Sequence, residues 1–276
     1  MRPPSVNVGL EPKFRLEPKE QPMQVDIRDK VIVVTGAGRG LGRSLALGLA
    51  AEGARVAVVA RDEQKAVSTV EEIVAQVPGA PKPLAVVADV SDEAQVQAAA
   101  EAVDTHWGRV DGLINNAGWM PPANSMSVLG FELAELRRVI DSNLVSCFLT
   151  TKHFAPVMIR GGGGRIVYVS SIAAEHGGAG RSGYGATKAA VNNYSNVVHK
   201  ELANQGIRTI ALAPGLTDTP GMREAAGEEH IARVSALYPD GRVGQPEDIV
   251  PFAAFLCSDA ANHLSGTVLT IRPFTG

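Results

Sequence analysis

The chain predicts an α/β protein, an open parallel sheet sandwiched between two layers of helices. Two observations carry this expectation. Short runs rich in Val and Ile recur along the chain with little alternation, as in strands buried on both faces. Longer amphipathic stretches separate most of them, and strand, helix, strand repeated in this way implies parallel pairing through right-handed crossovers.

Taken in order, the strand candidates are Val31–Thr35, Ala54–Ala60, Leu84–Ala88, Val110–Asn115, Arg165–Ser170, Ile207–Ala213 and Thr267–Ile271. The helical candidates are 41–52, 62–77, 92–107, 132–160, 183–204 and 246–258. No break in composition divides this pattern, so residues 28–276 are expected to form one domain. Ahead of it, residues 1–27 carry five prolines and read as a loosely ordered arm, because proline this dense denies helix and interior strand. Gly161–Gly164 reads as a helix stop and flexible link into a strand. The long connection Pro214–Gln245 has a small helix pattern of its own. It follows the carboxyl end of a strand, where open α/β sheets bind ligands, so a substrate lid is expected near 215–245.

The 276 residues are 45% apolar, ample for a continuous core, and the formal charge of -3 is spread among interspersed signs. Without a basic block or a basic amphipathic helix, nucleic acid and membrane are poor partners. No apolar run is long enough to span a bilayer, and the first 27 residues lack a signal peptide's apolar centre. Cys147 and Cys257 sit in apolar stretches without metal-ligand spacing, so they read as buried reduced thiols. A soluble protein of the reducing cytoplasm is expected, with no metal.

Directly after the first strand comes Thr35-Gly36-Ala37-Gly38-Arg39-Gly40-Leu41-Gly42, and then a helix. Glycines placed here let the chain turn tightly, bring backbone N–H groups against a pyrophosphate and let helix touch strand, which is a dinucleotide site. The residue reading the adenosine ribose should lie about 20 positions on, where the sequence has Ala60-Arg61-Asp62. Arg61 offers a planar cation to a 2′-phosphate, and Arg39 a second charge, so NADP(H) is favoured, with NAD(H) the alternative should Asp62 reach the ribose. Asp89 and Val90 follow the third strand; Asp89 is placed to touch the adenine edge, to cap the helix opening at Ser91, or to do both. Asn115-Asn116-Ala117-Gly118 follows the fourth strand, its small residues permitting close approach to a cofactor and its Asn side chains able to tie strands together.

Tyr184 and Lys188 are four apart, which stacks them on one helix face, and only this tyrosine of four has a lysine at that offset. A neighbouring ammonium favours a phenolate, which makes a phenol a usable base near neutrality. Ser171 lies just after the fifth strand, where its hydroxyl could polarise a substrate oxygen or act as a turn residue. Asn143 is a polar residue in mid-helix, ordinarily an exposed position.

Together, Thr35–Gly42, Asn115–Gly118, Asn143, Ser171, Tyr184, Lys188 and Pro214-Gly215 resemble, in order and spacing, the short-chain dehydrogenase/reductase family. The resemblance runs from about Asp29 to Thr270. It implies a doubly wound, seven-stranded parallel sheet of the Rossmann type, usually assembled as a homodimer or homotetramer. It also implies hydride transfer between a nicotinamide dinucleotide and a carbonyl or alcohol carbon. In that scheme Ser171 positions the substrate oxygen and Tyr184 exchanges its proton. Lys188 favours the phenolate and binds the nicotinamide ribose, Asn143 holds a relay water, and Thr219 contacts the nicotinamide amide. The chain departs from the pattern at its end, where Arg272-Pro273-Phe274-Thr275-Gly276 replaces an acid and paired glycines. An NAD-dependent epimerase or dehydratase and a cofactor-sensing binding protein that has lost catalysis are the rival readings. Trp119, Met120, His176, Arg181 and Met222 fall near the expected pocket and suggest a partly apolar ligand.

Overall fold

The computed structural model describes residues 25–122 and 127–272. Most of the proline-rich arm and the atypical last residues therefore lie outside the described residues, although Ile27, counted with the arm above, is buried in the core.

The described strands are β1 (Val31–Thr35), β2 (Arg55–Ala60), β3 (Leu84–Val87), β4 (Gly112–Asn115), β5 (Gly164–Val169), β6 (Ile207–Pro214) and β7 (Thr267–Ile271). They form one seven-stranded sheet in the order β3-β2-β1-β4-β5-β6-β7, every neighbouring pair parallel. The chain winds outward from β1 to β3, then crosses back to β4 on the other side of β1. That reversal opens a crevice above the carboxyl ends of β1 and β4.

Helices α1 (Gly40–Ala51), α2 (Glu63–Gln76) and α9 (Pro246–Cys257) cover one face, packing Leu45, Leu49, Ile73 and Ile249 against Ile32, Val34 and Val56. The other face is covered by α3 (Glu93–Trp107), α5 (Ser146–Arg160) and α6 (Ser182–Leu202), through Val96, Phe154, Met158 and Val191. A sheet buried on both sides needs apolar residues at consecutive positions, which is why β1 reads Val-Ile-Val-Val-Thr with all five buried. Strands β3 and β7 depart from this, with Val87, Thr267 and Thr270 exposed, because each is a sheet edge that only one neighbour pairs.

Three local expectations change. The helix expected over 132–160 is α4 (Leu133–Ile140), a π-helical turn at Asp141–Val145, and then α5. One widened turn scarcely disturbs the apolar period, so the pattern read as continuous. The glycine turn at 161–164 is closely packed at its end: a Cβ on Gly163 would stand 2.4 Å from the Gly206 carbonyl oxygen, both residues having positive φ, and one on Gly164 2.7 Å from the Asp111 carbonyl oxygen, whereas Gly162 faces open space. The long connection after β6 contains α7 (Pro220–Ala226) and α8 (Glu228–Ser235).

Among the described residues no helix is long and apolar enough to cross a membrane. Both cysteines are free and buried, and burial pushes the Cys147 thiol up to about 11 and that of Cys257 to about 12. The thiolate is the reactive form. The native protein should therefore release no thiol to a disulfide-exchange reagent near neutral pH and both thiols after denaturation; rapid native reaction would contradict the burial.

Candidate active site

The glycine loop is shaped by three contacts that a side chain would block. A Cβ on Gly36, whose φ is 65°, would lie 2.9 Å from the Ala117 Cα, and one on Gly42 would lie 2.3 Å from the Gly36 carbonyl oxygen. On Gly38 it would meet the Lys65 Cβ at 2.8 Å. Arg39 occupies the position before α1 and supplies no side-chain cap, so the N–H groups of the first helical turn face out without a side-chain acceptor. They open on a groove of about 350 Å³. Gly40, Leu41, Asn116 and Gly118 line it too, with Arg61, Asp89 and Val90 at its other end.

At that far end Arg61 Nη1 stands 3.6 Å from Asp89 Oδ2. Burial works against ionisation of Asp89, but hydrogen bonds from the Ser91 N–H and hydroxyl, with Arg61 beside them, hold its carboxyl below the ordinary range. The helix-cap reading of Asp89 is corrected: α3 begins at Glu93, and its cap is Asp92, which accepts from the Gln95 N–H at 3.1 Å. Asp62 likewise caps α2, accepting from the Lys65 N–H at 3.1 Å. Arg39 reaches across to α7, donating to the Glu224 carboxylate at 2.9 and 3.1 Å.

Asn116 ties β4 to the loop, donating to the carbonyls of Thr35 at 2.9 Å and Gly36 at 3.4 Å. Thr35 Oγ1 returns the contact by accepting the N–H groups of Asn116 and Ala117, each at 3.0 Å. Asn115 accepts from Thr150 at 2.6 Å.

Tyr184 and Lys188 lie on α6, one turn apart. Lys188 is 4% exposed; its Nζ donates to the Val169 carbonyl at the end of β5 at 2.7 Å and sits 5.7 Å from the centre of the Tyr184 ring. Ser171 begins a short 3-10 turn, its Oγ accepting from the Ala173 N–H at 3.2 Å. Asn143 is not the exposed residue its mid-helix position suggested. It is wholly buried in the π-helical turn, where Oδ1 accepts from the Trp119 N–H at 2.7 Å and Nδ2 donates to the Trp119 carbonyl and to Thr187 Oγ1, both at 3.1 Å. A Cβ on Gly118 would come within 2.9 Å of Asn143 Oδ1, so only glycine fits between them.

Ser171, Tyr184, Lys188, Pro214, Gly215 and Thr219 line one cavity of about 510 Å³. It shares Leu41, Asn116, Gly118 and Thr219 with the groove above the glycine loop, and the two are halves of a single crevice. Asn143 stands behind its wall. Sequence reasoning missed Thr187 and the Val169 carbonyl, whose partners are far away in the chain, and the α8 residues His230 and Val234 that close the cavity.

A family model described as Enoyl-(Acyl carrier protein) reductase matches residues 36–272. The chain belongs to the short-chain dehydrogenase/reductase family. It is similar to levodione reductase of Leifsonia aquatica, with 35% identity over 254 residues that cover 88% of this chain and 92% of that one. Among solved structures it resembles a 7α-hydroxysteroid dehydrogenase in complex with NADH and 7-oxo glycochenodeoxycholic acid, at a TM-score of 0.82 and 33% identity, covering 90% of this chain and 94% of that chain. It also resembles a gluconate 5-dehydrogenase from Burkholderia cenocepacia J2315 in complex with NADP and tartrate, at a TM-score of 0.82 and 30% identity, covering 90% and 95%. The chain is thus an oxidoreductase of the short-chain dehydrogenase/reductase family.

Within such an oxidoreductase the tight helix-to-loop contact at Gly42 is open to test. Gly42→Ala should cost about 1–3 kcal/mol of stability in chemical denaturation, since its methyl must displace backbone. Gly221→Ala lines the same crevice but meets nothing within 4 Å, so it should be neutral or slightly stabilising. Equal stability of the two variants would refute the close-packing argument.

Proposed function

We propose that the protein interconverts a ketone and a secondary alcohol by hydride transfer with a nicotinamide dinucleotide, Tyr184 exchanging the proton on the substrate oxygen. The observation that carries this is the continuity of the crevice: Tyr184, Lys188 and Ser171 face the space into which the glycine loop and the uncapped end of α1 open. The loop fits a pyrophosphate, because its backbone lies bare where any Cβ would collide, and helix N–H groups point outward. The nicotinamide, when bound, supplies or accepts the hydride.

The chain's own residues handle the proton and the charge. The Tyr184 hydroxyl gives its proton to the carbonyl oxygen in reduction and takes it back in oxidation. The Ser171 hydroxyl donates to the same oxygen and fixes its place. Lys188, a cation held beside the ring by the Val169 carbonyl, stabilises negative charge developing on the phenol and binds the nicotinamide ribose. Asn143 has its amide engaged by Trp119 and Thr187, so it acts by holding the Gly118 turn against α6, and the relay water falls to groups other than that amide. Thr219, which caps α7 and lines both parts of the crevice, would contact the nicotinamide amide, with α7 and α8 as the substrate lid.

NADP(H) is the favoured cofactor, with the glycine loop and Pro214-Gly215 flanking it. Arg61, Arg39 and Lys65 all line the groove, Arg61 offering a planar guanidinium, largely exposed and 3.6 Å from Asp89, to a 2′-phosphate. The structural relatives leave the choice open, one holding NADH and another NADP. The buried free thiols suit a reducing cytoplasm, and the exposed Phe148 on α5 and Val197 on α6 suit assembly as a homodimer or homotetramer.

Tyr184→Phe should lower kcat by about 10²- to 10⁴-fold while leaving dinucleotide affinity largely unchanged, and near-normal turnover would remove Tyr184 from the chemistry. For the cofactor, kcat/KM should be higher with NADPH than with NADH, and Arg61→Ser should narrow the gap; a clear NADH preference in the unaltered enzyme would reject the role given to Arg61.

A further inference from the structure

The cavity beyond Tyr184 has an electrical asymmetry that the hydride-transfer reading does not use. Arg181 immediately precedes α6, and its carbonyl accepts the Gly185 N–H at 2.8 Å, so its side chain leaves the same wall as Tyr184 about one turn away. Both side chains line the cavity. Arg39, Arg43, Arg109, Arg160, Arg223 and Arg242 are each paired with a carboxylate, Arg39 on this same cavity. Arg181 is not: among the described residues no acid lies within ion-pair distance of it, and the acceptor for its Nη1 is the Met120 sulfur at 3.5 Å. A thioether is a weak acceptor, and a half-buried guanidinium served only by one retains most of its capacity for an anion.

Two histidines add to this wall. His230, carried by α8, lines the cavity and accepts at Nδ1 from Arg233 Nη2 at 2.9 Å. That bond places the ring proton of the neutral histidine on Nε2, which leaves a donor for a ligand. Burial, followed by the nearby charges of Arg233 and Arg181, pushes His230 below its ordinary pKa, and His230 and Arg181 line the same cavity. His176 lines the same space. The acidic side chain on the cavity lining, Glu224, is already held by Arg39. The remaining lining is largely apolar, with Trp119, Met120, Met222 and Val234 among it, and Arg138 stacks over Trp119 at 4.0 Å. In a chain of net charge -3, a wall with spare cationic and N–H donors and no free acid marks a place for a negative group.

We infer that the substrate carries an anionic group, a carboxylate or a phosphate, at a distance from its reacting carbon, and that Arg181 binds this group with help from His230 and His176 while the apolar walls hold the body between. This rests on the oxidoreductase reading for the position of the reacting carbon, but binding of the anion does not require turnover. A planar guanidinium suits either anion through two parallel hydrogen bonds.

The test has a kinetic arm and a binding arm, both on the full chain loaded with dinucleotide. In the first, 5-oxohexanoate and its methyl ester are compared as substrates. The ratio of their kcat/KM values should favour the acid, mainly through KM, and should fall about tenfold or more in Arg181→Gln, with partial recovery in Arg181→Lys, the scale of one charge-assisted hydrogen bond. In the second, calorimetry follows hexanoate, hexyl phosphate and hexanol. One or both anions should bind more tightly than the alcohol, lose about tenfold or more in Arg181→Gln, and by their order tell carboxylate from phosphate. Anion binding that depends on Arg181 in an enzyme that turns over no ketone supports the site and sinks the hydride-transfer reading. Turnover that treats acid and ester alike, with anion binding unmoved by Arg181→Gln, overturns the inference and leaves the oxidoreductase intact.

Discussion

The arrangement around Tyr184 depends on one buried cation. Lys188 is almost fully enclosed, and taking an ammonium out of water costs several kcal/mol unless its donors are met. The Val169 carbonyl meets one of them at 2.7 Å, and the Ser170 hydroxyl, directly after β5, donates to the Lys188 carbonyl. These contacts pin α6 to the carboxyl end of β5 at a fixed register. Because Tyr184 is one turn earlier on the same helix, its phenol is carried to the mouth of the crevice by the same restraint. Ser171, directly after Ser170, is delivered to that mouth from the strand side.

Opposite this restraint stands close backbone packing. Gly36, Gly42 and Gly118 each occupy a place where a Cβ would strike backbone or the Asn143 amide, so β1, α1 and the β4 turn approach more closely than side chains would allow. Asn116 and Thr35 lock that approach with reciprocal hydrogen bonds. Asn143 does the same at the next boundary, joining the Trp119 backbone to α6 through Thr187. The boundary of the crevice beside the glycine loop is therefore walled by groups whose polar atoms are spent on each other, and Tyr184 and Ser171 line the cavity next to it. Preorganisation of this kind is what lets fixed dipoles act on a reacting oxygen without first having to move.

The sheet supplies the floor and most of the walls of the crevice, and the connection after β6 covers the rest of its cavity. Helices α7 and α8 bring Met222, His230 and Val234 over the cavity, and the Arg39–Glu224 pair links α7 to the glycine loop. Arg223 braces the same segment through Asp218 and Glu228. Ion pairs with at least one exposed partner are of small individual worth, so the segment over the cavity is held less firmly than the core beneath it.

The sequence by itself determined the class of fold, the strand positions to within a residue or two, the glycine loop and the Tyr184–Lys188 pair. Each is a local pattern: a buried parallel strand needs an unbroken apolar run, a phosphate turn needs glycine, and a helix stacks residues four apart whatever surrounds it. Tertiary structure alone decided what those patterns touch. The π-helical turn that buries Asn143, the Thr187 that satisfies it, and the close packing of Gly163 on Gly206 all depend on partners tens of residues away. Nor does spacing reveal that Arg181 lacks a carboxylate while Arg39 has one. Which charges are neutralised follows from how distant segments meet, and that is settled only when the chain has closed on itself.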